Sequence, residues 1–290
     1  MRLALICPCG PPHLGKTLEG MEILRAWGLQ VVPGPVLQAC IQGGGGASLH
    51  FLAAEDDQRE AELAWALGEE VDACWVVRGG VGMTRLKLPP LGKPKPVFGF
   101  SDVSVLLHGL QRRGWTELYH CANVQTLPTL DSAALEATRR LALGSGLSPL
   151  TGRWLSPGRA EGVLWGGNLC VLTCLCGTAE AMTGGPGRIL ALEDVSEAPY
   201  RVDRMLVQLE ASGAFQGLEG VALGRFSDCG DLESVWAHWC RRWRVPVLAD
   251  LPFGHSPDNY PLRLGVPVVL DYSQMSWVDR SILSGSGTGP

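Results

Sequence analysis

Residues 95–110, KPVFGFSDVSVLLHGL, contain the stretch that decides the fold. An apolar run typical of a buried strand ends at Gly99-Phe100, and apolar residues with helical spacing begin at Val103. The residues with that spacing are Val103, Leu106, Leu107 and Leu110. Ser101 and Asp102 lie between the two patterns, at a predicted corner between a strand and a helix. Ser101 can act there as a helix N-cap or as a nucleophile raised on a tight turn. Spacing alone leaves both open, because Val103 replaces the last glycine of the pattern G-x-S-x-G.

The same alternation of strand and helix patterns runs through the first half of the chain. Asp57 and Glu60 have the spacing of a capping box in front of one of the helical patterns. Strands that alternate with helices favour a mostly parallel sheet covered by helices, so we predict a flavodoxin-like α/β domain over residues 1–145. The predicted strands are 2–7, 29–37, 73–77 and 97–100, and the predicted helices are 15–28, 61–70 and 103–114.

The second half of the chain has a different sequence pattern. Residues 146–160 are rich in glycine, serine and proline and are predicted to link two domains. Beyond them, short strand patterns with frequent glycine and proline surround one clear helix at 199–212. We therefore predict a smaller β-rich domain over residues 161–283, followed by a disordered tail at 284–290. The predicted strands of this half are 162–168, 188–194, 220–226, 245–254 and 265–271.

Composition excludes several classes of function. The chain has 290 residues, of which 46% are hydrophobic and 18% charged, as expected of a globular protein. Its net charge of −5 argues against nucleic acid as a partner. No apolar run approaches the length of a membrane span, and the apolar run at 3–7 is too short for a signal-peptide core. We therefore expect a cytoplasmic protein that does not enter membranes.

The ten cysteines do not have the spacing of a metal site. Cys7 and Cys9 form a C-x-C pair, and Cys170, Cys174 and Cys176 form C-x₃-C-x-C. Neither pattern has the two matched C-x₂-C pairs that mark a zinc site. We expect most of these thiols to be buried and to behave as small hydrophobic side chains, and we predict no metal ion.

Other segments could contain catalytic or substrate-binding residues, but their spacing allows several interpretations. The segment VVRGGVG at 76–82 lacks the third glycine of a dinucleotide fingerprint, so it is either a tight turn or a loop whose backbone N–H groups approach a substrate. A serine nucleophile needs a base, and His255 stands in a Gly/Pro/Asn loop where functional side chains are common. The available histidines are His13, His50, His108, His120, His238 and His255. Spacing does not choose among the carboxylates Glu193, Asp194 and Glu197.

Five segments, in fixed order, resemble a known family. The resemblance is to the LD-carboxypeptidases, or muramoyltetrapeptide carboxypeptidases, a serine peptidase family that also contains the microcin C immunity hydrolases. It runs nearly end to end, from LALICPCGPP to PVVLD, with two departures: ICPCG near the N-terminus, and Trp165 before Gly-Gly-Asn. The segments are VVRGGVGMTRL (76–86), KPVFGFSDVS (95–104), GVLWGGNLCVLTCLCGT (162–178), ILALEDVSEAPYRVDRMLVQL (189–209) and LPFGHSPDN (251–259).

The resemblance implies a Ser-His-Glu triad divided between the two domains. The family motifs align their nucleophile with Ser101, their glutamate with Glu193 and their histidine with His255. In this arrangement the backbone N–H groups of Asp102 and Gly80 form the oxyanion hole. Ser101 would also cap its helix, and the Asp102 side chain would be a first-turn charge.

The implied activity is release of the terminal D-alanine from a murein tetrapeptide in cell-wall recycling, without a metal or an organic cofactor. We expect Arg78, Arg85 and Trp165 to contact the substrate, which carries carboxylates, and we expect a homodimer. Two alternatives remain: a microcin-immunity-type hydrolase of peptidyl or aminoacyl nucleotides, and a non-catalytic ligand-binding protein with two lobes.

Overall fold

The computed structural model describes residues 1–278, whose strands form two sheets. The predicted tail at 284–290 and the last residues of the predicted second domain lie outside this range. The strands are β1 Arg2–Ile6, β2 Gln30–Pro33, β3 Ala73–Val76, β4 Val97–Gly99, β5 Leu118–His120, β6 Leu150–Thr151, β7 Arg153–Ser156, β8 Ala160–Asn168, β9 Arg188–Val195, β10 Leu218–Ser227, β11 Val247–Ala249, β12 Leu262–Leu264, β13 Pro267–Asp271 and β14 Gln274–Trp277. The α-helices are α1 Leu14–Ala26, α2 Pro35–Ile41, α3 Asp56–Leu67, α4 Ser104–Gln111, α5 Ser132–Ala142, α6 Leu169–Thr173, α7 Pro199–Ala211 and α8 Glu233–Trp243.

The first sheet has the strand order β12-β5-β4-β3-β1-β2. All its neighbouring pairs are parallel except β12 with β5. The five parallel strands thus follow the flavodoxin-like order 2-1-3-4-5, in which ligands bind beyond the carboxyl ends of the strands. The predicted α/β class with a parallel, flavodoxin-like sheet is confirmed. The carboxyl ends of β1, β3 and β4 lead into the segments 7–13, 77–82 and 100–103.

The second sheet is mixed, with the order β6-β14-β13-β8-β9-β10-β11-β7. Its centre, β8 to β11, is parallel, and α7 and α8 connect β9 to β10 and β10 to β11. The second sheet was expected, but α8 was not, although Val235, Trp239 and Trp243 recur every fourth residue and are buried on one face. The segment predicted as a linker, 146–160, contributes β6 and β7 to this sheet.

Two local predictions in the first half need correction. Residues 34–37 were expected to be extended, but Pro35 occupies the first turn of α2, where its fixed φ and missing N–H suit a helix start. The capping box of α3 is formed by Glu55 and Gln58 rather than by Asp57 and Glu60. The reason is that α3 begins at Asp56, ahead of the predicted start.

The two sheets share a hydrophobic core. One cluster of fully buried side chains includes Ile6 of β1, Leu107 of α4, Leu164 of β8 and Ile189 of β9. Helix α4, which follows Ser101, therefore packs between the sheets, and the carboxyl end of β4 is held against the second sheet. Among residues 1–278, no helix is long and apolar enough to cross a membrane.

Candidate active site

The corner at Ser101 is strained. Ser101 has a φ of +67°, a left-handed conformation that is uncommon for a residue with a side chain. It opens a short 3-10 turn, 101–103, that leads into α4, and no side chain caps this turn. The expectation that Ser101 caps its helix is therefore wrong. Its left-handed backbone makes it part of a tight corner, and backbone strain of this kind is concentrated at functional sites.

The glycine loop after β3 packs directly against this corner. A Cβ atom added to Gly79 would lie 2.9 Å from the Cβ of Ser101, so a side chain at this position would collide with the serine. The Gly79 carbonyl accepts a hydrogen bond from the Gly10 N–H at 3.0 Å. The peptide is trans, so the N–H of Gly80 points away from Gly10. Within residues 1–278 that N–H has no hydrogen-bond partner, and it is available to an incoming group.

Buried side chains hold this loop in place. Asp102 is buried, and its carboxylate accepts the Met83 N–H at 2.8 Å. It lies in the first turn, as expected, and it also ties the glycine loop to the start of α4. Arg59 is fully buried and donates to the carbonyl oxygens of Pro8 and Gly82. The buried Arg59 side chain thereby links the loop that follows β1 to the loop that follows β3.

His255 and Glu193 form a close pair beside the corner. His255 Nδ1 lies 2.7 Å from Glu193 Oε2, and Glu193 is fully buried. The His255 ring lies 4.6 Å from the ring of Phe100, the residue before Ser101. Because Nδ1 faces the carboxylate, Nε2 is the nitrogen that remains for proton exchange.

The charges of this pair support each other. Burial opposes ionisation of Glu193, but its contacts with His120 and His255 outweigh burial and lower its pKa to about 2. Burial likewise opposes the charged form of His255, but the Glu193 carboxylate outweighs it and raises the pKa of His255. An ionised Glu193 therefore favours a protonated His255, as a base that must accept a proton during a reaction requires.

The loop that carries His255 is held by other side chains. Asp258 forms an ion pair with Arg225 of β10 and accepts the Ser256 hydroxyl at 2.6 Å. Asn259 Oδ1 accepts the Gly254 N–H at 3.0 Å. The loop lies between β11 of the second sheet and β12 of the first. Hence both sheets fix the position of His255.

Gly254 allows the close approach of this loop to Glu193. Its φ is +115°, and an added Cβ would lie 2.8 Å from Glu193 Oε2. A side chain here would both disfavour the backbone conformation and displace the carboxylate from His255.

The other two candidate carboxylates have different partners. Asp194 accepts the Asn168 side-chain amide at 3.0 Å and the Cys170 N–H at 2.9 Å, at the start of α6. Burial raises the pKa of Asp194 to about 6, and the neighbouring Glu193 charge acts in the same direction. Glu197 lies 3.5 Å from Arg201 of α7. Of the three carboxylates, Glu193 is the one in contact with His255.

The residues expected to contact substrate differ in their surroundings. Arg85 donates to both carboxylate oxygens of Asp56, from Nε to Oδ1 at 3.0 Å and from Nη2 to Oδ2 at 2.7 Å, and this ion pair compensates the Arg85 charge. Arg78 donates to the Pro11 carbonyl at 2.5 Å, and no carboxylate among the described residues lies within ion-pair distance of it. Its guanidinium lies beside Gly80, since a Cβ there would be 3.9 Å from Arg78 Nε.

Trp165 is buried in contacts of its own. Its side chain donates to His108 Nδ1 at 2.9 Å, and the Arg188 guanidinium stacks on its ring at 3.8 Å. These contacts account for the Trp165 side chain without a substrate.

Sequence reasoning gave no role to His120, which also contacts Glu193. His120 Nε2 lies 3.5 Å from Glu193 Oε1, and both side chains are fully buried. The available signal was its position as the last residue of β5, at the same edge of the sheet as Ser101.

No metal centre is evident among residues 1–278, where no group of three or more His, Cys, Asp or Glu side chains is arranged to hold an ion. The ten cysteines, all within that range, are free thiols. A cavity of about 990 Å³ lies at the amino ends of β4 and β5, near Pro96 and Glu117. That end of the sheet is opposite the Ser101 corner, so this cavity is not the candidate site.

Both domains of one protein family match the chain. The LD-carboxypeptidase N-terminal domain matches residues 3–120, and the LD-carboxypeptidase C-terminal domain matches residues 161–270. A Synechocystis relative is 37% identical over 285 residues, covering 93% of this chain and 91% of the relative. The murein tetrapeptide carboxypeptidase of Pseudomonas aeruginosa is 32% identical over 255 residues, covering 80% of this chain and 83% of that enzyme.

Solved structures agree with this relationship. The muramoyltetrapeptide carboxypeptidase of Oxalobacter formigenes superposes with a TM-score of 0.79 at 28% identity, covering 95% of this chain and 97% of that one. The microcin C7 self immunity protein MccF has a TM-score of 0.79 at 20% identity, covering 96% of each chain, and shares the fold. The resemblance seen in the sequence motifs is confirmed: this chain belongs to the LD-carboxypeptidase family.

Proposed function

We propose that the protein is a serine LD-carboxypeptidase that releases the terminal D-alanine of murein tetrapeptides in cell-wall recycling. The observation that carries this proposal is the contact of the buried Glu193 carboxylate with His255 Nδ1, at 2.7 Å, beside the strained corner at Ser101. Relatives named for murein tetrapeptide cleavage support the choice of substrate.

In the first half of the reaction, Ser101 Oγ attacks the carbonyl carbon of the scissile amide. His255 Nε2 takes the serine proton, while Glu193 stabilises the imidazolium that forms. When the C–N bond breaks, His255 returns the proton to the leaving amine and D-alanine departs. The shortened peptide is then bound to Ser101 as an ester.

In the second half, water replaces D-alanine. His255 takes a proton from the water as its oxygen bonds to the ester carbon, and then passes it to Ser101 Oγ as the C–O bond breaks. Each tetrahedral intermediate carries a negative oxygen. We assign the Gly80 and Asp102 N–H groups to that oxygen, and the unpartnered Gly80 N–H supports this assignment.

Arg78 is our candidate for the carboxylate of the terminal D-alanine. It lies beside Gly80, and its described partner is the neutral Pro11 carbonyl. A guanidinium can bind a carboxylate through two parallel hydrogen bonds. Arg85 is the weaker candidate, because Asp56 already occupies its guanidinium.

The direct test is mass spectrometry of a murein tetrapeptide incubated with the protein. We expect loss of one alanine residue, and an unchanged tetrapeptide would contradict the proposal. An aminoacyl sulfamoyl nucleoside in a parallel reaction tests the microcin-immunity alternative. Cleavage of neither compound would favour the non-catalytic binding protein.

Three further expectations belong to this proposal: a cytoplasmic location, a homodimer and chemistry that needs no metal ion. Cell fractionation tests the first and light scattering of the purified protein tests the second. Exhaustive treatment with EDTA should leave turnover unchanged, because the proposed steps use only Ser101, His255 and Glu193. Activity that is lost with EDTA and restored by Zn²⁺ would contradict this mechanism.

A further inference from the structure

We propose that His120 is a positioning residue that holds the second oxygen of Glu193, so that the first oxygen stays on His255. The inference rests on the proposed function for its catalytic meaning. The arrangement itself is a buried carboxylate between two imidazoles, with Oε2 2.7 Å from His255 Nδ1 and Oε1 3.5 Å from His120 Nε2. His120 touches Glu193 and acts on the reaction through it.

The backbone around His120 fixes where its ring can lie. His120 ends β5 and pairs with Gly99 of β4 on one side and Leu262 of β12 on the other. Phe100 and Phe253 meet the ring edge to face, with centroids 5.9 and 6.0 Å away. The imidazole is therefore held between two aromatic rings with little freedom to turn.

The burial of His120 needs a reason. Within residues 1–278, neither ring nitrogen of His120 has a partner in hydrogen-bond geometry, and Glu193 Oε1 accepts no hydrogen bond. An imidazole buried without a partner is costly, whereas its attraction to a carboxylate is strong in a low dielectric. Glu193 is the one carboxylate among the described residues within ion-pair distance of His120. The contact is long at 3.5 Å, and catalytic contacts of this kind commonly tighten when substrate binds.

Two effects follow if the proton of His120 is on Nε2. The N–H fixes the rotation of the Glu193 carboxylate, and its positive end lowers the proton affinity of the Glu193–His255 pair. Removal of this N–H should raise the apparent pKa of the pair, and the acid limb of kcat/KM should move to higher pH. The other titratable groups that face His255 are Glu193 and Asp194 of β9, and the variants below leave both in place.

The competing explanation is that His120 only fills space between Phe100 and Phe253. Two variants separate the explanations. His120→Phe keeps an aromatic ring but removes both nitrogens, whereas His120→Gln keeps an N–H donor near the position of Nε2. His108→Gln is the matched control, because His108 is also a buried histidine but is bonded to the Glu180 carbonyl and Trp165.

We expect His120→Phe to lower kcat about tenfold with little change in KM, and to move the acid limb upward by about 0.5–1 pH unit. His120→Gln should restore most of both, and His108→Gln should leave the limb in place. An unmoved limb in His120→Phe, or an equal shift in His120→Gln, would overturn the proposal.

A second measurement needs neither substrate nor a stable variant. In ¹⁵N-histidine-labelled wild-type protein, the nitrogen shifts report which ring nitrogen of His120 carries the proton. The proposal requires a proton on Nε2, and an unprotonated Nε2 overturns it. If this proton is present but murein tetrapeptide is not cleaved, the proposed function fails while the Glu193–His120 contact stands.

Discussion

The corner at Ser101 and the loop at His255 place the two reacting partners of the proposed triad by different means. The position of Ser101 depends on one strained backbone angle, its φ of +67°, with Gly79 of the glycine loop packed against its Cβ. The position of His255 is set from a distance. Arg225 of β10 holds Asp258 in its loop, and the Asp131 N–H ahead of α5 donates to the Pro257 carbonyl at 2.9 Å.

The Ser101 corner is held in a strained backbone conformation, whereas the His255 loop is held by contacts with other elements. At the Ser101 corner, conformational strain is concentrated in one backbone position. In the His255 loop, several ordinary contacts each contribute a small part of the free energy that holds the imidazole in place. A substitution at Ser101 should therefore affect chemistry without unfolding the protein. A substitution around the His255 loop should affect chemistry in proportion to how far the imidazole moves.

The largest expected effect comes from the nucleophile. Ser101→Ala should lower kcat about 10⁴-fold to 10⁶-fold, as loss of a triad nucleophile does elsewhere. Stability should stay within about 0.5 kcal/mol of wild type, because the Ser101 side chain makes no capping bond. Steady-state kinetics and urea unfolding measure the two quantities. A variant that keeps a tenth of the activity would remove Ser101 from the mechanism.

The contrast between the two regions also explains what the sequence could predict. The strand and helix patterns around Ser101 are contiguous, so the corner and the parallel sheet were predicted from residues 95–110 and their neighbours. The left-handed φ of Ser101 was not, because serine rarely adopts it and no local signal distinguishes this corner from an N-cap. The buried role of Asp102 was missed for a related reason, since its partner Met83 comes from another loop.

The remainder of the site depends on long-range pairing. Glu193 and Asp194 are adjacent on β9, so their side chains leave opposite faces of the sheet. Only the pairing of β9 with its neighbours decides which face meets His255. His120 was missed because its contact with Glu193 joins β5 of the first sheet to β9 of the second. The family resemblance supplied the choice of Glu193 that spacing could not.

The second prediction concerns this choice of carboxylate. Glu193→Gln keeps the shape of the side chain but removes the charge that stabilises protonated His255. We expect turnover to fall about 10³-fold to 10⁴-fold, by analogy with other triads, with a smaller change in substrate binding. Asp194→Asn and Glu197→Gln are the matched controls and should be much milder, because these residues bind α6 and Arg201. The kinetics of the three variants are measured side by side. If either control lost as much turnover as Glu193→Gln, the assignment of Glu193 as the triad carboxylate would be wrong.

The third prediction concerns the wall of the site next to the Ser101 corner. Arg78→Gln should raise KM about tenfold to a hundredfold, the value of a hydrogen bond to a charged group, with a smaller effect on kcat. Arg85→Gln should leave KM nearly unchanged, because Asp56 already binds that guanidinium. Initial rates over a range of tetrapeptide concentration measure both variants. Equal KM values for the two would count against Arg78 as the carboxylate site.

The fourth prediction tests the distributed support of the His255 loop. Asp258→Asn weakens the ion pair with Arg225, which is partly exposed and worth about 1 kcal/mol or less. We expect kcat to fall only several-fold, because Asn259 and the Asp131–Pro257 bond still hold the loop. A double variant, Asp258→Asn with Asn259→Ala, should lose more than the sum of the two single effects. Strict additivity would mean that the loop contacts act independently.

The smallest expected effect is a change in melting temperature. It tests the comparison of the Ser101 corner with the His255 loop most directly, because a glycine substitution should change the melting temperature in opposite directions at the two positions. A left-handed conformation costs a residue with a side chain about 1–2 kcal/mol, and glycine avoids that cost while losing about 0.5–1 kcal/mol in backbone entropy. Ser101→Gly should therefore stabilise the fold slightly, raising the melting temperature by about 1–2 °C, although it abolishes activity. His255 has no positive φ to relieve, and His255→Gly leaves the Glu193 carboxylate without its closest partner. That variant should be destabilised. Calorimetry of both proteins gives the signs, and a lower melting temperature for Ser101→Gly than for Ser101→Ala would mean that the corner holds no strain.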